Sequence, residues 1–307
     1  MKKQDITVIL LSYNTKKITE TCIIKLKKSK DFCEKKLGNK IKVIVVDQGS
    51  KDGSALVIKN KFNWVNVLSL SENLGFAKGN NLAMRQVRSP YILLINSDTF
   101  LNKDTLYKVL KNMDENPNID MLQVGFRYAN GGFEPCGGYL PNPLNTILRF
   151  FEVDILLYNI GLIKPIPVMG FSFYAKDREM EWISGAFMFL KSQVFEKTKG
   201  FDENIFFYGE DFEWCKRIKD AGFRIQYTSK IWVTHLSGAS THNENGSSYI
   251  KQLKGYLYYH EKYFPKYHGA VKSALILSLS LKTVLFAVLD NAKARVYKEI
   301  LRESLKL

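Results

Sequence analysis

The feature that most constrains this chain is the alternation within its first hundred residues. Four short apolar runs, Ile6–Leu11, Ile41–Val46, Val65–Leu70 and Tyr91–Ile95, are β-branched or aromatic in character and bounded by polar or glycine-containing turns. Between them lie longer stretches with helical spacing, Lys16–Lys30, Gly53–Asn63 and Lys78–Arg88. Strands that alternate with helices make βαβ units, and these build a mostly parallel sheet flanked by helices. The expectation is an α/β fold with a Rossmann-like central sheet. Ligands of such sheets bind beyond the carboxyl ends of the strands, so the residues after each run are where chemistry should sit.

Those positions are polar four times over. They read Ser12-Tyr13-Asn14, then Asp47-Gln48-Gly49-Ser50, then Ser71-Glu72-Asn73-Leu74-Gly75-Phe76, then Asn96-Ser97-Asp98-Thr99. Asp52, Gly53 and Ser54 sit where a helix should start and read as turn and cap chemistry. Asp47 and Asp98 each follow a buried-type strand directly, and a carboxylate there points to function.

From Leu101 to Glu181 the pattern loosens. Asn130-Gly131-Gly132 and Cys136-Gly137-Gly138 mark turns, and Pro141, Pro143, Pro165 and Pro167 interrupt regular structure. The apolar stretch Ile147–Ile166 is too broken to span a bilayer; it reads either as core or as a surface for lipid or acceptor. Order returns between Trp182 and Ser240. Glu210-Asp211 opens a helix that runs to about Gly222, with acidic residues where the helix dipole favours them. Phe223–Tyr227 and Ile231–Thr234 read as strands, and His235 ends the second as Asp47 and Asp98 end theirs.

Beyond Ser247 the chain is aromatic and basic. Ala270–Leu289 is apolar on nearly all sides, broken by Lys272 and Lys282. Lysines there disfavour a bilayer-spanning helix and suit one lying in the interface with snorkelling side chains; packing against a partner subunit, as in a homo-oligomer, is the competing reading. Residues 251–307 carry eleven Lys and Arg against four Asp and Glu, a net +7 that suits an anionic membrane surface. The whole chain has 45 Lys and Arg against 30 Asp and Glu, a formal charge of +15, which calls for an anionic partner without naming one. Four scattered cysteines without CxxC or zinc spacing indicate a reducing compartment. The opening residues read as a strand rather than a secretion signal, so a cytoplasmic location is expected.

Together the segments VILLSYN, VVDQGSKDGS, NLGFAKGNN, YILLINSDT, ISGAFMFL, GFDENIFFYGEDFEWCKR and VTHLSGAS resemble glycosyltransferase family 2 in order and spacing, over residues 6 to about 240. These are inverting enzymes of GT-A fold, and the closer resemblance is to the rhamnosyltransferase-like branch acting on bacterial surface polysaccharides. The resemblance implies a nucleotide-binding half over 1–100, an acceptor-binding and catalytic half over 101–245 and a helical extension over 246–307. It implies a nucleotide-sugar donor, with dTDP-rhamnose the branch's choice and UDP-hexoses the alternative. It also implies a Mg2+ or Mn2+ ion and an acceptor hydroxyl; the basic, apolar tail adds the expectation of a glycan or lipid-linked glycan acceptor at the inner face of the cell membrane. Carried over by position, Ser12, Asn14 and Asp47 lie by the nucleotide, with Asp47 on the base. Asn73, Gly75, Phe76, Lys78 and Asn80 lie near the ribose and sugar. Asn96-Ser97-Asp98 takes the place of the family's DxD motif, with Asp98 as metal ligand, His235 completing metal or diphosphate binding, and Gly185 and Ala186 shaping the acceptor floor. Asn96 stands where the family often has Asp, which leaves the ion fewer anionic ligands.

The chemistry asks for these types. Expelling a nucleoside diphosphate from an anomeric carbon needs its negative charge neutralised. Inversion needs one general base on the opposite face. The resemblance makes Asp211 that base and Glu210 the holder of an acceptor hydroxyl, with the reverse assignment open because neighbouring carboxylates perturb each other. Two other readings compete. A sugar nucleotidyltransferase needs a glycine-rich basic loop after the first strand, and Leu11-Ser12-Tyr13-Asn14-Thr15 has no glycine. A non-catalytic nucleic-acid binder would use the basic aromatic tail as a stacking platform, yet it leaves Asp98, Glu210-Asp211 and His235 without a task. The transferase reading expects no nucleic acid.

Overall fold

The structure is a computed structural model that describes residues 5–237 and 247–306; Gly238, Ala239 and Ser240 of the last motif lie outside them. The chain falls into two compact units. One comprises Met1–Gly137, Gly170–Phe206 and Glu210–Ser240, the other Gly138–Met169, Phe207–Gly209 and Thr241–Leu307.

The first unit begins as the alternation predicts: β1 (Ile6–Ser12), α1 (Lys16–Leu37), β2 (Ile41–Asp47), α2 (Ser54–Lys61), β3 (Asn66–Ser69), α3 (Gly75–Met84) and β4 (Tyr91–Asn96). β1 pairs in parallel with both β2 and β4, and β2 with β3. β1, β2 and β4 are buried along almost their whole length, because helices cover a parallel sheet on both faces and alternation has no solvent side to serve. α3 starts three residues before the expected Lys78. The Asn73 amide oxygen accepts from the Gly75 N–H, and the Phe76 N–H is taken by the Phe206 carbonyl, which fixes the helix start there. It ends at Met84 rather than Arg88, where bonds of Gln86 to Ala83 and Val87 to Met84 tighten the last turn.

The stretch read as irregular holds more order than expected. After β5 (Thr99–Phe100) comes α4 (Thr105–Glu115), whose buried Leu106, Val109, Leu110 and Met113 follow helical spacing, and then β6 (Met121–Arg127) and β7 (Phe133–Glu134). β8 (Gly137–Gly138), α5 (Pro143–Phe150), α6 (Asp154–Asn159), α7 (Phe171–Tyr174), β9 (Arg178–Glu179), β10 (Trp182–Ile183), β11 (Phe187–Lys191), α8 (Ser192–Thr198) and α9 (Glu210–Asp220) lead to β12 (Ile225–His235). The main sheet runs β3-β2-β1-β4-β11-β6-β12-β5, with β7 beside β6 and β9 beside β12. β11 is antiparallel to β4 and β6, so the half beyond β4 is mixed. The two strands expected before His235 are one, with a register shift between Thr228 and Trp232. Asp177 makes that bulge tolerable by accepting from the Ser229 N–H and hydroxyl. All four cysteines are free and buried.

The second unit is helical: α5 and α6, then α10 (Ser247–Tyr263), α11 (Pro265–Leu289) and α12 (Asn291–Ser304). Asn142 caps α5 ahead of Pro143, and Asp290 caps α12 through the N–H groups of Ala292 and Lys293. Tyr256 and Tyr259 are buried core rather than a stacking platform. The 147–166 stretch divides: Phe150 and Ile166 are buried, while Leu156, Ile160 and Leu162 are exposed. On α11, Val271, Leu275, Ser278 and Leu279 are buried, with the Ser278 hydroxyl on the Phe150 carbonyl. Leu277, Leu281, Val284, Leu285, Val288 and Leu289 form an exposed apolar ridge at helical spacing.

Candidate active site

The parallel register sets Ser12 beside Asp47, Asp47 beside Ser69, and Leu11 beside Asn96, so the polar strand ends share one edge. A chain of hydroxyls ties the first to the fourth: Ser12 Oγ lies 2.8 Å from Thr19 Oγ1, and Thr15 Oγ1 lies 3.2 Å from Ser97 Oγ. Asn14 adopts a left-handed conformation, φ 52. Its side-chain oxygen accepts from the Lys51 N–H at 2.8 Å and its own N–H donates to Ser50 Oγ at 2.9 Å. Asp47 is buried; Oδ1 accepts from the Ser50 N–H at 3.0 Å, and Oδ2 has no hydrogen-bond partner. A buried carboxylate oxygen at a strand end thus has its acceptor capacity unspent. Gln48 braces the third strand end by accepting from the Leu74 N–H.

Next to this edge, β12 pairs with β5 so that His235 stands opposite Thr99, and the Leu236 N–H bonds the Asp98 carbonyl. Residues far apart in sequence thereby meet. His235 Nε2 is 3.5 Å from Asp98 Oδ1, and His235 Nδ1 is 2.8 Å from Glu134 Oε1. Burial works against a charged imidazole, but hydrogen bonds and the negative charges of Asp98 and Glu134 outweigh it and raise the His235 pKa to about 9. Sequence reasoning passed over Glu134. It is a single carboxylate between two glycine turns, without periodicity, and only the pairing of β7 with β6 carries it to His235.

The third element is the start of α9. Tyr208 and Gly209 enter it at φ 68 and 103, backbone that bulky side chains rarely adopt. Glu210 is buried, while part of Asp211 reaches solvent. Burial raises the Asp211 pKa from 3.8 to about 6, against the lowering effect of the Phe212 and Gly185 N–H groups. A side chain at Gly185 would be tight: an added Cβ would lie 3.0 Å from the Phe76 ring, which would have to give way, and 4.0 Å from Asp211 Cβ. Phe76, Gly185 and Asp211 therefore converge. Gly75 is equally constrained, at φ +85 with a Cβ position 2.5 Å from the Phe206 carbonyl. Deeper in α9, fully buried Glu213 accepts from Nε and Nη2 along one edge of the Arg217 guanidinium, and Arg217 donates through Nη1 and Nη2 to the Thr198 and Gly200 carbonyls.

The remaining candidates are placed as follows. The Asn96 N–H meets the Ala186 carbonyl at 3.3 Å, and Thr99 Oγ1 donates to the same oxygen, so Ala186 borders the Asn96-Ser97-Asp98 turn. Asn73 spends its side-chain oxygen on Gly75. Asn80 donates to the Phe76 carbonyl and keeps a buried oxygen without a partner. Lys78 is exposed, and its charge acts on Glu203.

The profile described as "Glycosyl transferase family 2" matches residues 7–171, and that of "Glycosyl transferase family group 2" matches 91–289. The chain belongs to glycosyl transferase family 2. It is 26% identical over 193 residues to the rhamnosyltransferase WbbL of Escherichia coli K12, covering 60% of this chain and 67% of that protein. It is 21% identical over 262 residues to the N-acetylglucosaminyl-diphospho-decaprenol L-rhamnosyltransferase of Mycobacterium tuberculosis, covering 79% and 82%. Among solved structures it resembles the mannosyltransferase PcManGT of Pyrobaculum calidifontis, in complex with GDP-Man and Mn2+, at TM-score 0.58 and 15% identity over 100% of this chain and 87% of that one. The fold is GT-A, and rhamnosyltransferases are among the relatives of this glycosyltransferase.

Asp98 and His235, which the resemblance implies as metal-binding, meet at a point where a cation could be held. Among the described residues no group of three His, Cys, Asp or Glu surrounds a common centre. A pair is enough where a diphosphate supplies the other oxygens, since Mg2+ is commonly held by one or two carboxylates plus substrate phosphates. Ligand atoms about 2.1 Å from an ion stand about 3 Å apart at right angles, close to the 3.5 Å between Asp98 and His235. The carboxylate suits Mg2+ or Mn2+, and the imidazole favours a transition ion over Mg2+. The residues fit.

Proposed function

We propose that this glycosyltransferase moves L-rhamnose from dTDP-rhamnose, with inversion, to a hydroxyl of a surface polysaccharide or lipid-linked glycan. The observation that carries the reading is the meeting of Asp98 with His235 at the strand edge that also holds the open Asp47 oxygen. The rhamnosyltransferase relatives favour rhamnose over a UDP-hexose.

Asp47 Oδ2 accepts the pyrimidine N–H, and Ser12, Asn14, Asn96 and Ser97 line the nucleotide. Asp98 and His235 hold a Mg2+ or Mn2+ ion, which when bound neutralises charge on the departing diphosphate. Phe76 and Gly75 wall the sugar with Asn73, Lys78 and Asn80 around them, and Gly185 and Ala186 floor the acceptor. Asp211 takes the proton of the acceptor hydroxyl as its oxygen bonds to the anomeric carbon from the face opposite the breaking bond to phosphate oxygen. Glu210 holds a neighbouring hydroxyl. A carboxyl group with pKa near 6 is a base at neutral pH and is basic enough to be useful there.

The work takes place at the cytoplasmic face of a membrane. By length and composition α11 is long and apolar enough to cross a bilayer, but its Val271–Leu279 face is packed on protein and Lys282 is paired with Glu152. The ridge from Leu277 to Leu289 rises about 18 Å along the axis, which suits a helix lying in the interface. A charge of +7 over residues 251–307 repels a second copy and attracts anionic lipid.

A thermal-shift series tests the donor. dTDP and dTDP-rhamnose should raise the melting temperature by mass action, and more so with Mn2+. A larger shift and turnover with UDP-hexoses would move the donor to that class, and no response to any nucleotide would end the reading.

A further inference from the structure

Glu134 belongs to no motif of the sequence, yet it is buried at the back of the candidate cation site. β7 pairs with β6 so that Glu134 stands opposite Phe126, and β12 runs parallel to β6 with Thr234 beside Arg127. This double register brings Glu134 Oε1 to 2.8 Å from His235 Nδ1, with the Phe126 ring 5.2 Å from the imidazole. The second carboxylate oxygen, Oε2, is buried without a hydrogen-bond partner. A carboxylate left half-satisfied in the interior is costly, so its retention calls for a task. An ionised carboxylate only accepts; the ring nitrogen facing it must carry a hydrogen. The other nitrogen, Nε2, is then the one that can give its lone pair to an ion once the ion takes the place of its proton, and it is the one that faces Asp98 at 3.5 Å.

We propose that Glu134 is a positioning residue: by accepting from His235 Nδ1 it fixes the ring so that Nε2, together with Asp98, forms a ready-made two-donor site for Mg2+ or Mn2+. Carboxylates behind ligating histidines orient the ring and make it a better donor, and their loss typically weakens metal binding about 10–100-fold. The proposal rests on the reading of Asp98 and His235 as the cation site.

The test measures Mn2+ affinity by electron paramagnetic resonance of the unbound ion, with Mn2+ alone and with dTDP, and needs no turnover. Glu134→Ala should weaken binding about 10–100-fold. Glu134→Gln, whose amide oxygen still accepts from Nδ1 and which preserves shape, should stay within about threefold. In a His235→Ala background, Glu134→Ala should add nothing, because its effect passes through the ring. A further loss in that background would make Glu134 a direct ligand and overturn the proposal, as would equal losses in the Ala and Gln variants or unchanged affinity in both. If the unaltered protein binds no Mn2+ under either condition, the cation-site reading falls and takes the proposal with it.

Discussion

Replacing Asp211 with Asn should abolish transfer and at the same time stabilise the protein. The carboxamide keeps the shape and can still accept from the Phe212 and Gly185 N–H groups, so what is removed is a charge that burial opposes. The difference between 3.8 and about 6 corresponds to about 3 kcal/mol at 1.36 kcal/mol per pKa unit. Partial contact with solvent trims this to about 1–2 kcal/mol. The sign follows from proton binding. The folded chain holds the Asp211 proton up to about pH 6, whereas the unfolded chain releases it near 3.8. Stability from this group is therefore complete below about pH 4, declines through the window, and stays flat above it. At neutral pH the Asn variant should melt about 2–5 °C higher. Below about pH 4 the two proteins should melt together. Turnover of the Asn variant should fall about 10²–10⁴-fold with nucleotide affinity unchanged, and kcat of the unaltered enzyme should drop tenfold per pH unit below about 6. Differential scanning calorimetry across pH, with a donor-consumption assay, measures both halves. Normal turnover would remove Asp211 from the mechanism. A melting difference equal at about pH 4 and about pH 8 would show that the buried charge is not its source.

Two further perturbations probe the supports of the site and the helical unit. Arg217→Met takes the guanidinium from fully buried Glu213 and should cost about 3–5 kcal/mol in urea unfolding, with Glu213→Gln in the same chain recovering more than half; no recovery would mean that the Thr198 and Gly200 carbonyls, not the ion pair, carry the cost. Val284→Asp with Val288→Asp should lower co-sedimentation with anionic vesicles about 100-fold, from two valines at about 1.5 kcal/mol each. Turnover of a soluble acceptor should be unchanged, and equal sedimentation would show that the ridge does not meet lipid.

The parallel half of the sheet was legible because its code is local. Buried β-branched runs and helical spacing have no other stable arrangement, and the strand ends then fall on one edge by topology. Asp98 and His235 could be suspected because each ends a strand, a property visible without knowing which strands are neighbours. What escaped depended on pairing between distant segments. β6 lies in a proline- and glycine-rich stretch, and α4 was missed although Leu106, Val109, Leu110 and Met113 repeat at helical spacing. The apolar 147–166 stretch could not be divided into core and surface, since hydrophobicity alone does not say which side of a short helix finds a neighbour. The start of α3 was set by the Phe206 carbonyl, more than a hundred residues away.

The same dependence bears on the charge pattern at the proposed cation site. Asn96 withdraws one carboxylate from the front of the turn, which by itself weakens the pull on a divalent ion. The fold places Glu134 behind His235, where on the proposed reading it orients the imidazole instead of ligating. An ion held by Asp98 and His235 would keep open positions for diphosphate oxygens to fill. Exchanging Asn96 for Asp should then raise the affinity for Mn2+ alone more than the affinity for Mn2+ with nucleotide, because the added carboxylate competes for the position that a phosphate oxygen fills.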